Sequence, residues 1–352
     1  MRRGVSVLIV LIVLAAALWL LWRGLDREMD APAASDVPVR VEVPAGASLR
    51  SVLAQLQRQG AVRHARLVTL YLRLHGASVR MQAGTYEIAP HATARSILDQ
   101  FNAGRVVLES LTVVEGWTFL QLRRALDAHP SVAHQSRGQS DAQIMTVLGH
   151  GSEAAEGRFF PDTYRFAAGT SDYKILQGAC DRMTAELNHA WNARAQNLPI
   201  TTPDQALILA SIIEKETGRE DERARVAAVF VNRLRLGMRL QTDPTVIYGL
   251  GERYDGTIHT RDLETDTPYN TYTRTGLPPT PIALPGAASL QAAVHPADTD
   301  ALYFVATGNG DGSHHFSATL AEHDVALRAY LRRLGVSPDV RVTTPAQVGG
   351  HP

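Results

Sequence analysis

An uncharged apolar run near the N-terminus, Val5 to Trp22 (VSVLIVLIVLAAALWLLW), constrains the chain more than any other feature of its sequence. As an α-helix this run is about 27 Å long, close to the hydrocarbon thickness of a bilayer. Trp19 and Trp22 lie near its end, where interfacial aromatic residues are common. A cleaved signal peptide has an apolar region of about 7–15 residues that ends in small residues, whereas this run is longer and ends in LWLLW. The run therefore predicts an uncleaved transmembrane anchor at residues 5–22, with a signal peptide as the alternative.

Basic residues beside the apolar run predict its orientation. Arg2 and Arg3 precede the run, and positively charged flanks favour the cytoplasmic side of a membrane. Arg23 and Arg27 follow the run and weaken this asymmetry. We expect a single membrane pass, with a cytoplasmic N-terminus at residues 1–4 and everything after the run on the other side.

The overall composition excludes several classes of protein. Lys plus Arg is 35 and Asp plus Glu is 35, so the chain lacks the basic excess of a nucleic-acid-binding protein and we expect no nucleic-acid partner. Hydrophobic residues make up 45% and charged residues 20%, which excludes wholesale disorder. The single cysteine, Cys180, excludes an internal disulfide framework and a cysteine-rich zinc site.

A composition change after the anchor predicts a linker and then a small domain. Residues 23–38 are polar, rich in Ala, Pro and Asp, and without apolar period, which is typical of a linker. Residues 39–106 contain alternating strands (VRVEV and GTYEI) and amphipathic helices, of which two begin at the N-cap residues Ser48 and Thr93. The opening of this module, VEVPAGASLRSVL, resembles a LysM module; a generic small αβ domain is the alternative.

Residues 107–335 predict a larger domain, in which helices dominate until about residue 237 and loops rich in Gly, Pro, Thr and Asn follow. Residues 336–352 predict a disordered tail. The predicted fold class is therefore α+β: an N-terminal transmembrane helix, a small LysM-like αβ module, and a larger mixed α/β domain with a helix-borne glutamate as its candidate catalytic group.

That glutamate lies at the end of the predicted helix DQALILASIIEKETG, which Gly218 should close. Leu209, Ile212, Ile213 and Glu216 have the spacing of one helix face. A carboxyl group therefore ends an otherwise apolar stripe. Desolvation and the negative end of the helix dipole should both raise the pKa of Glu216, as a general acid requires.

A neighbouring glutamate and one alternative role bear on this assignment. Glu214 lies about 200° around the helix from Glu216 and should point elsewhere. Glu216 is also placed to form an ordinary ion pair with Arg219 or Arg223, and structural ion pairs outnumber catalytic ones.

Two later stretches carry aromatic, amide and hydroxyl groups with little apolar period. The candidate substrate-binding residues are Gln241, Thr242, Asp243 and Tyr248 in the first stretch, and Tyr269, Asn270, Thr271 and Tyr272 in the second. Aromatic rings can stack on sugar faces while amides and hydroxyls bind sugar hydroxyls, and ordered loops of this length tend to be functional. Well-hydrogen-bonded surface loops are the alternative.

Four separated motifs make the chain resemble one family. ASIIEKETG, VFVNRLRLGMRLQTDPTVIYG, DTPYNTYTRTGLPPTPIALPG and AVHPADTDALYFVATGNG are similar to the endolytic murein transglycosylases, and the anchor, the LysM-like module and EGRFFPDTYRF follow the same order. The resemblance extends from residue 1 to about residue 333. It implies that Glu216, the second glutamate of EKET, is the catalytic acid and base.

The resemblance also implies a reaction, partners and a location. The reaction is cleavage of the β-1,4 bond between N-acetylmuramic acid and N-acetylglucosamine in nascent glycan strands, with formation of a 1,6-anhydro end and without a cofactor or metal. The expected partners are peptidoglycan strands and peptidoglycan synthases. The expected location is the inner membrane, with the catalytic part in the periplasm.

Three other functions stay open at this point. A muramidase with two carboxylates would use Asp243 or Glu214 beside Glu216 and would add water. A wall-binding protein without activity is the second. A metal enzyme is the weakest, because His314, His315 and His323 lack the H-E-x-x-H spacing and fit loop and helix-surface positions better.

Overall fold

An N-terminal helix, α1 (Arg2–Asp30), contains the apolar run and continues past it. The structure, a computed structural model, describes residues 2–44 and 46–335. The predicted disordered tail at 336–352 lies outside these residues. Within α1, residues Leu8–Asp30 are long and apolar enough to cross a membrane.

The structure differs from the predicted linker over the first residues of that segment. Residues 23–30 are helical, and only the remainder of 23–38 is irregular before the first strand. Leu25 and Met29 are buried and stand four residues apart, so this turn of α1 has a tertiary partner although its sequence is polar. Burial of these two side chains explains why the helix does not end at the edge of the apolar run.

The chain forms two compact units. Among the described residues, the first contains those up to 110 with 131–133 and 165–170, and the second contains 111–130, 134–164 and 171–335. Strands β1 (Val39–Val43) and β2 (Gly84–Ile88) of the first unit pair antiparallel, with Val39 opposite Ile88 and Val43 opposite Gly84. Its helices after α1 are α2 (Leu49–Arg58), α3 (Ala65–Leu74) and α4 (Ala94–Asn102).

The core of the first unit follows from the sequence pattern. Every second residue of β1 is buried, and each helix buries one apolar face against the strands. The N-cap residues Ser48 and Thr93 accept hydrogen bonds from the backbone of Ser51 and Ser96, which confirms both predicted helix starts. The resemblance to LysM stays a prediction.

The remaining elements are mainly helical. They are β3 (Leu108–Thr112), α5 (Phe119–Ala128), β4 (Val132–Ala133), α6 (Asp141–Val147), β5 (Thr163–Ala167), β6 (Thr170–Ser171), α7 (Asp172–Asn192), α8 (Pro203–Glu216), α9 (Glu220–Arg235), α10 (Asp243–Leu250), a 3₁₀ turn at Gly251–Arg253, α11 (Thr260–Glu264), α12 (Ala287–Val294), β7 (Tyr303–Ala306), β8 (His314–Ser317) and α13 (Leu320–Arg333). Strands β7 and β8 pair antiparallel.

Helix α8 is the centre of the second unit. It packs against α7, α9 and α12. All eight residues from 206 to 213 are buried, so α8 is apolar on every side there and not on a single face as predicted. At its C-terminal end the helix emerges from the core, because residues 214–216 are partly exposed. The fold therefore brings the end of a rigid helix to the surface, and Glu216 is its last residue.

Candidate active site

The end of α8 has a different geometry from the predicted glycine cap. Thr217 is the C-cap and is extended (φ −144°, ψ 130°), and Gly218 does not have the left-handed backbone of a C′ glycine. The Thr217 side chain is buried, and its Oγ1 accepts a hydrogen bond from the Arg219 amide (3.0 Å). The chain thus leaves the helix immediately after Glu216, and the glutamate lies half-buried at the emergent end.

Thr242 binds the Glu216 carboxyl group directly. Its hydroxyl donates a hydrogen bond to Oε1 of Glu216. Thr242 is fully buried and is the N-cap residue of α10. The structure therefore brings together the catalytic candidate and one of the predicted substrate-binding residues, which lie 26 positions apart in the chain.

A network of threonines holds Thr242 in place. The Thr242 amide donates to Oγ1 of Thr271 (3.1 Å), and its carbonyl accepts from Oγ1 of Thr245 (2.7 Å). The hydroxyls of Thr245 and Thr271 lie 2.9 Å apart. Gln241 before them has a left-handed backbone (φ 49°), which costs a non-glycine residue about 1–3 kcal/mol. Its amide donates to the Thr271 carbonyl (3.1 Å), and this bond helps to hold the strained turn.

Asp243 and Tyr272 form a hydrogen-bonded pair beside Thr242, with Tyr272 buried and Asp243 partly exposed. The Tyr272 hydroxyl donates to Oδ1 of Asp243 (2.6 Å). Burial raises the pKa of Asp243, and the Tyr272 hydrogen bond opposes that rise. Burial also raises the pKa of Tyr272, and the negative charges of Asp243 and Glu216 add to the effect. Tyr272 therefore lies within the electrostatic field of Glu216.

Asn270 has a role that its loop sequence does not indicate. Its side-chain nitrogen lies within hydrogen-bond distance of the carbonyls of Asp262 (3.1 Å), Leu263 (3.0 Å) and Thr265 (2.7 Å). Its side-chain oxygen accepts from the Tyr272 amide (2.8 Å). Asn270 is only 1% exposed, and Thr271 is also buried. In this conformation both side chains shape the loop and do not face solvent, which argues against the predicted direct contact with substrate.

Two of the three tyrosines of the predicted set, Tyr248 and Tyr269, pack together. The rings of Tyr248 and Tyr269 meet edge to face, with their centroids 4.9 Å apart. The Tyr269 hydroxyl lies 2.8 Å from that of Thr280, and the Tyr248 hydroxyl donates to Oε2 of Glu156 (3.2 Å). Both rings are partly exposed, so they keep the accessible surface that stacking on a sugar requires.

Glu156 is a buried acid that the sequence argument did not select. It is 8% exposed, and its Oε1 accepts the amide of Phe119 (3.0 Å) at the start of α5. Burial raises the pKa of Glu156 to about 7, although the hydrogen bonds from Phe119 and Tyr248 oppose the rise. The available signal was its position at the start of the aromatic stretch EGRFFPDTYRF.

Arg233 is a second charged residue that the sequence argument did not select. This side chain of α9 is 1% exposed, and its guanidinium donates to the carbonyls of Leu302 (2.7 Å) and Leu240 (2.8 Å). Leu240 directly precedes the strained Gln241, so the guanidinium supports the turn that presents Thr242. Burial lowers the pKa of Arg233, whereas the charges of Tyr303, Tyr272 and Glu216 raise it. A buried cation therefore lies within the field of the Glu216 carboxylate.

The other carboxylates considered from sequence have other contacts. Oε2 of Glu214 accepts the Gly286 amide (2.9 Å). Arg219, one of the predicted ion-pair partners of Glu216, pairs with Asp221 (2.6 Å) and reaches Asp311 (4.0 Å). Glu214 and Glu216 therefore occupy different surroundings, as their helical spacing predicted.

Two of the histidines considered as metal ligands, His314 and His323, have separate contacts. His314 pairs with Glu222 through Nδ1 (2.8 Å). His323 is buried and stacks on Tyr303, so the predicted surface position of this residue is wrong. Among residues 2–44 and 46–335, no three His, Cys, Asp or Glu side chains lie close enough to share a metal ion.

Taken together, the geometry defines a candidate site around the Glu216 carboxyl group, which lies at the end of a largely buried helix and is bound by a loop hydroxyl. Comparison with known proteins identifies the family of the chain that carries this site. The YceG-like family matches residues 41–329, which include every predicted site residue. A crystal structure of a YceG-like protein from Listeria monocytogenes is 30% identical, with a TM-score of 0.52 over 83% of this chain and 99% of that one.

Sequence relatives give the same result. An endolytic murein transglycosylase of Bacillus subtilis is 31% identical over 84% of this chain and 86% of its own length. An endolytic murein transglycosylase of Streptococcus pneumoniae is 25% identical over 85% of this chain and 60% of its own length, so the chain spans about three fifths of that relative. The chain belongs to the YceG-like family.

Proposed function

We propose that the protein is a membrane-anchored endolytic lytic transglycosylase, with peptidoglycan glycan strands as its substrate. The observation that carries this proposal is the hydrogen bond from Thr242 to Glu216 inside the matched family region. The names of the Bacillus and pneumococcal relatives support the reaction class. The apolar part of α1 supports the anchor in the inner membrane, with the catalytic part in the periplasm.

Glu216 acts first as an acid in this mechanism. Protonated Glu216 donates a proton to the glycosidic oxygen between N-acetylmuramic acid and N-acetylglucosamine, and the bond to the muramic C1 breaks. Thr242 donates its hydroxyl to Oε1 of Glu216 and so orients the carboxyl group. The resulting carboxylate forms near the buried cation of Arg233, which lowers the cost of its negative charge.

Glu216 then acts as a base. It removes the proton from the C6 hydroxyl of the same muramic residue, and that oxygen attacks C1 to close a 1,6-anhydro ring. An intramolecular hydroxyl needs no second carboxylate to activate a water molecule. The surroundings of Glu214 agree with a mechanism that uses one carboxyl group, since the Glu214 carboxylate binds a backbone amide.

Part of the predicted binding set stays accessible on the two stretches that also carry Thr242 and Thr271. Tyr248 and Tyr269 present a paired aromatic surface, and Gln241 is partly exposed on the strained turn. We assign sugar contact to these three residues, while Thr242, Asp243, Asn270, Thr271 and Tyr272 hold the loop and its polar groups in position. Nascent strands and a peptidoglycan synthase partner follow from the anchor and the family, and both are part of the proposal.

A two-carboxylate muramidase is the second candidate, because Asp243 lies next to Thr242. Digestion of purified glycan strands by the full-length protein in detergent, with product masses recorded, separates the two reactions. A transglycosylase yields anhydro ends, and a muramidase yields reducing ends that are heavier by one water. A wall-binding protein without activity would leave the strands intact.

A further inference from the structure

The contact between α1 and α3 places part of the first unit near the end of the apolar run. Beyond that run, α1 buries Leu25 and Met29. Three contacts along the two helices join Trp22 with His75 (ring centroids 4.8 Å apart), Asp26 with Tyr71 through Arg95, and Glu28 with His64 (2.9 Å). As residue numbers rise along α1 they fall along α3, so the two helices run antiparallel.

This antiparallel arrangement gives α3 a direction relative to a bilayer. If α1 leaves the hydrocarbon near Trp22, α3 begins about 9 Å farther out, at the level of Glu28, and runs back toward the membrane. Its last residues, Leu74 and His75, then lie level with Trp22. Tryptophan at the end of a spanning helix lies among the lipid headgroups, and the contact with His75 extends that level to α3.

The outer face of α3 is apolar where it has no protein partner. Leu67, Leu70 and Leu74 have the spacing of one helix face and are 37%, 39% and 59% exposed, so exposure is greatest at the end nearest Trp22. The opposite face of α3 is buried through Val68 and Leu72. The exposed leucines are therefore additional to the face that the core uses.

Charges around this face favour a lipid surface. Arg23, Arg27, Arg66 and Arg73 are exposed on the two helices. The acidic residues at this end of α1 are already paired, Asp26 and Asp30 with Arg95 and Glu28 with His64. Arginines near leucines and a tryptophan, beside a spanning helix, match the phosphates and upper acyl chains of a bilayer.

We propose that the C-terminal end of α3 is a second membrane contact, with Leu74 among the headgroups and upper acyl chains and with Leu70 and Leu67 successively farther out. The inference rests on the proposed anchor. The proposed arrangement makes the junction between the membrane and the first unit rigid, because the helix that spans the bilayer is itself packed against the unit. The sequence predicts a linker at this junction.

The test uses spin labels on the full-length chain in vesicles of phosphatidylethanolamine with a minority of phosphatidylglycerol. Single cysteines replace Leu74, Leu70, Leu67 or, as a matched control on α4, Ser96. Ser96 is exposed and follows Thr93, which pairs with Pro32 beyond the end of α1. The parent chain, whose Cys180 is buried, gives the background of labelling.

Collision with oxygen and with a water-soluble nickel chelate measures depth. We expect several-fold less contact with the chelate at position 74 than at 96, more oxygen contact at 74, and an order of depth from 74 through 70 to 67 with about 6 Å between the first two. Chelate contact at 74 equal to that at 96 overturns the inference. Loss of contact with both reagents at 74 also overturns it, because that result indicates a protein cover.

A label on Leu14→Cys, in the middle of the apolar run, separates this inference from the anchor. If the label at position 14 lies in the hydrocarbon while the label at position 74 lies in water, the α3 contact is rejected and the anchor stays in place. Position 14 in water rejects both.

Discussion

Glu216 and Glu156 each accept a hydrogen bond from a hydroxyl of the same segment, Thr242 in one case and Tyr248 in the other. Glu156 is nearly inaccessible and is also bound by the backbone amide at the start of α5. Glu216 ends its helix and is half-exposed. The comparison teaches that a carboxyl group with a high pKa is not by itself a catalyst, because it must also reach the substrate.

The largest expected effect concerns Glu216. Glu216→Gln keeps the size of the side chain and removes its transferable proton, so we expect activity on glycan strands to fall at least 10²–10⁴-fold. Glu214→Gln is the matched control on the same turn and should keep most activity. Release of anhydro products is measured by mass spectrometry, with melting curves to confirm folding. A fully active Glu216→Gln protein would rule out the proposed mechanism.

Asn270 tests the assignment of a loop-holding role. Asn270→Ala removes the buried side-chain nitrogen that three loop carbonyls share and the oxygen that accepts the Tyr272 amide, so we expect about 2–4 kcal/mol less free energy of unfolding. Thr273→Ala is the control on the same loop, since its shorter hydroxyl bond goes to the exposed Asp266 and its other bond, to the Asn270 carbonyl, is 3.2 Å long. Denaturant unfolding measures both. Normal stability with lost substrate binding would instead support the direct sugar contact predicted from sequence.

Glu156 should make stability depend on pH. Its folded-state pKa is about 7, against an ordinary value of 4.5. Below pH 4.5 both states are protonated and there is no penalty. As the pH rises to about 7 the unfolded state ionises first, so this group progressively destabilises the fold, by about 3 kcal/mol at most.

Glu156→Gln removes that titration. The stability of the variant relative to the parent should therefore rise between pH 4.5 and 7 and stay level above pH 7. Thermal unfolding at several pH values measures the difference, and activity should be affected far less than in Glu216→Gln. A stability difference that is flat over this pH range contradicts the assignment.

Local patterns were sufficient to predict much of the first unit. Both strands, the helix between Ala65 and Leu74, and the caps at Ser48 and Thr93 follow from alternation and hydrogen-bonding side chains within a few residues. The helical residues 23–30 were missed because only Leu25 and Met29 mark a buried face there, and their partners come from α3 and α4. A pattern of two apolar residues does not identify a helix without its tertiary contacts.

The candidate site also contains residues that could be found from the sequence and residues that could not. Glu216 was accessible to sequence reasoning because helical spacing places it after a buried stripe, and the family motif agrees. Asn270 was assigned to the substrate because an amide in a polar loop has the same composition whether it binds sugar or its own backbone. Arg233 and Glu156 were overlooked because their partners, such as Leu302 and Phe119, are distant in sequence.

The smallest expected effect concerns the hydroxyl that binds the carboxyl group of Glu216, the proposed catalytic residue. Thr242→Val keeps the shape of this buried side chain and removes the bond to Glu216, so the glutamate keeps its proton and loses one orienting contact. A hydrogen bond of this kind contributes about 1 kcal/mol, which corresponds to roughly a fivefold to tenfold loss of kcat. Thr242→Ser restores a hydroxyl and should recover most of that loss. Because the residues assigned to sugar contact are unchanged, KM should move less than kcat. Equal activity of Thr242→Val and the parent would show that Glu216 needs no orienting hydroxyl. Accessibility to the substrate would then be the feature that distinguishes Glu216 from Glu156.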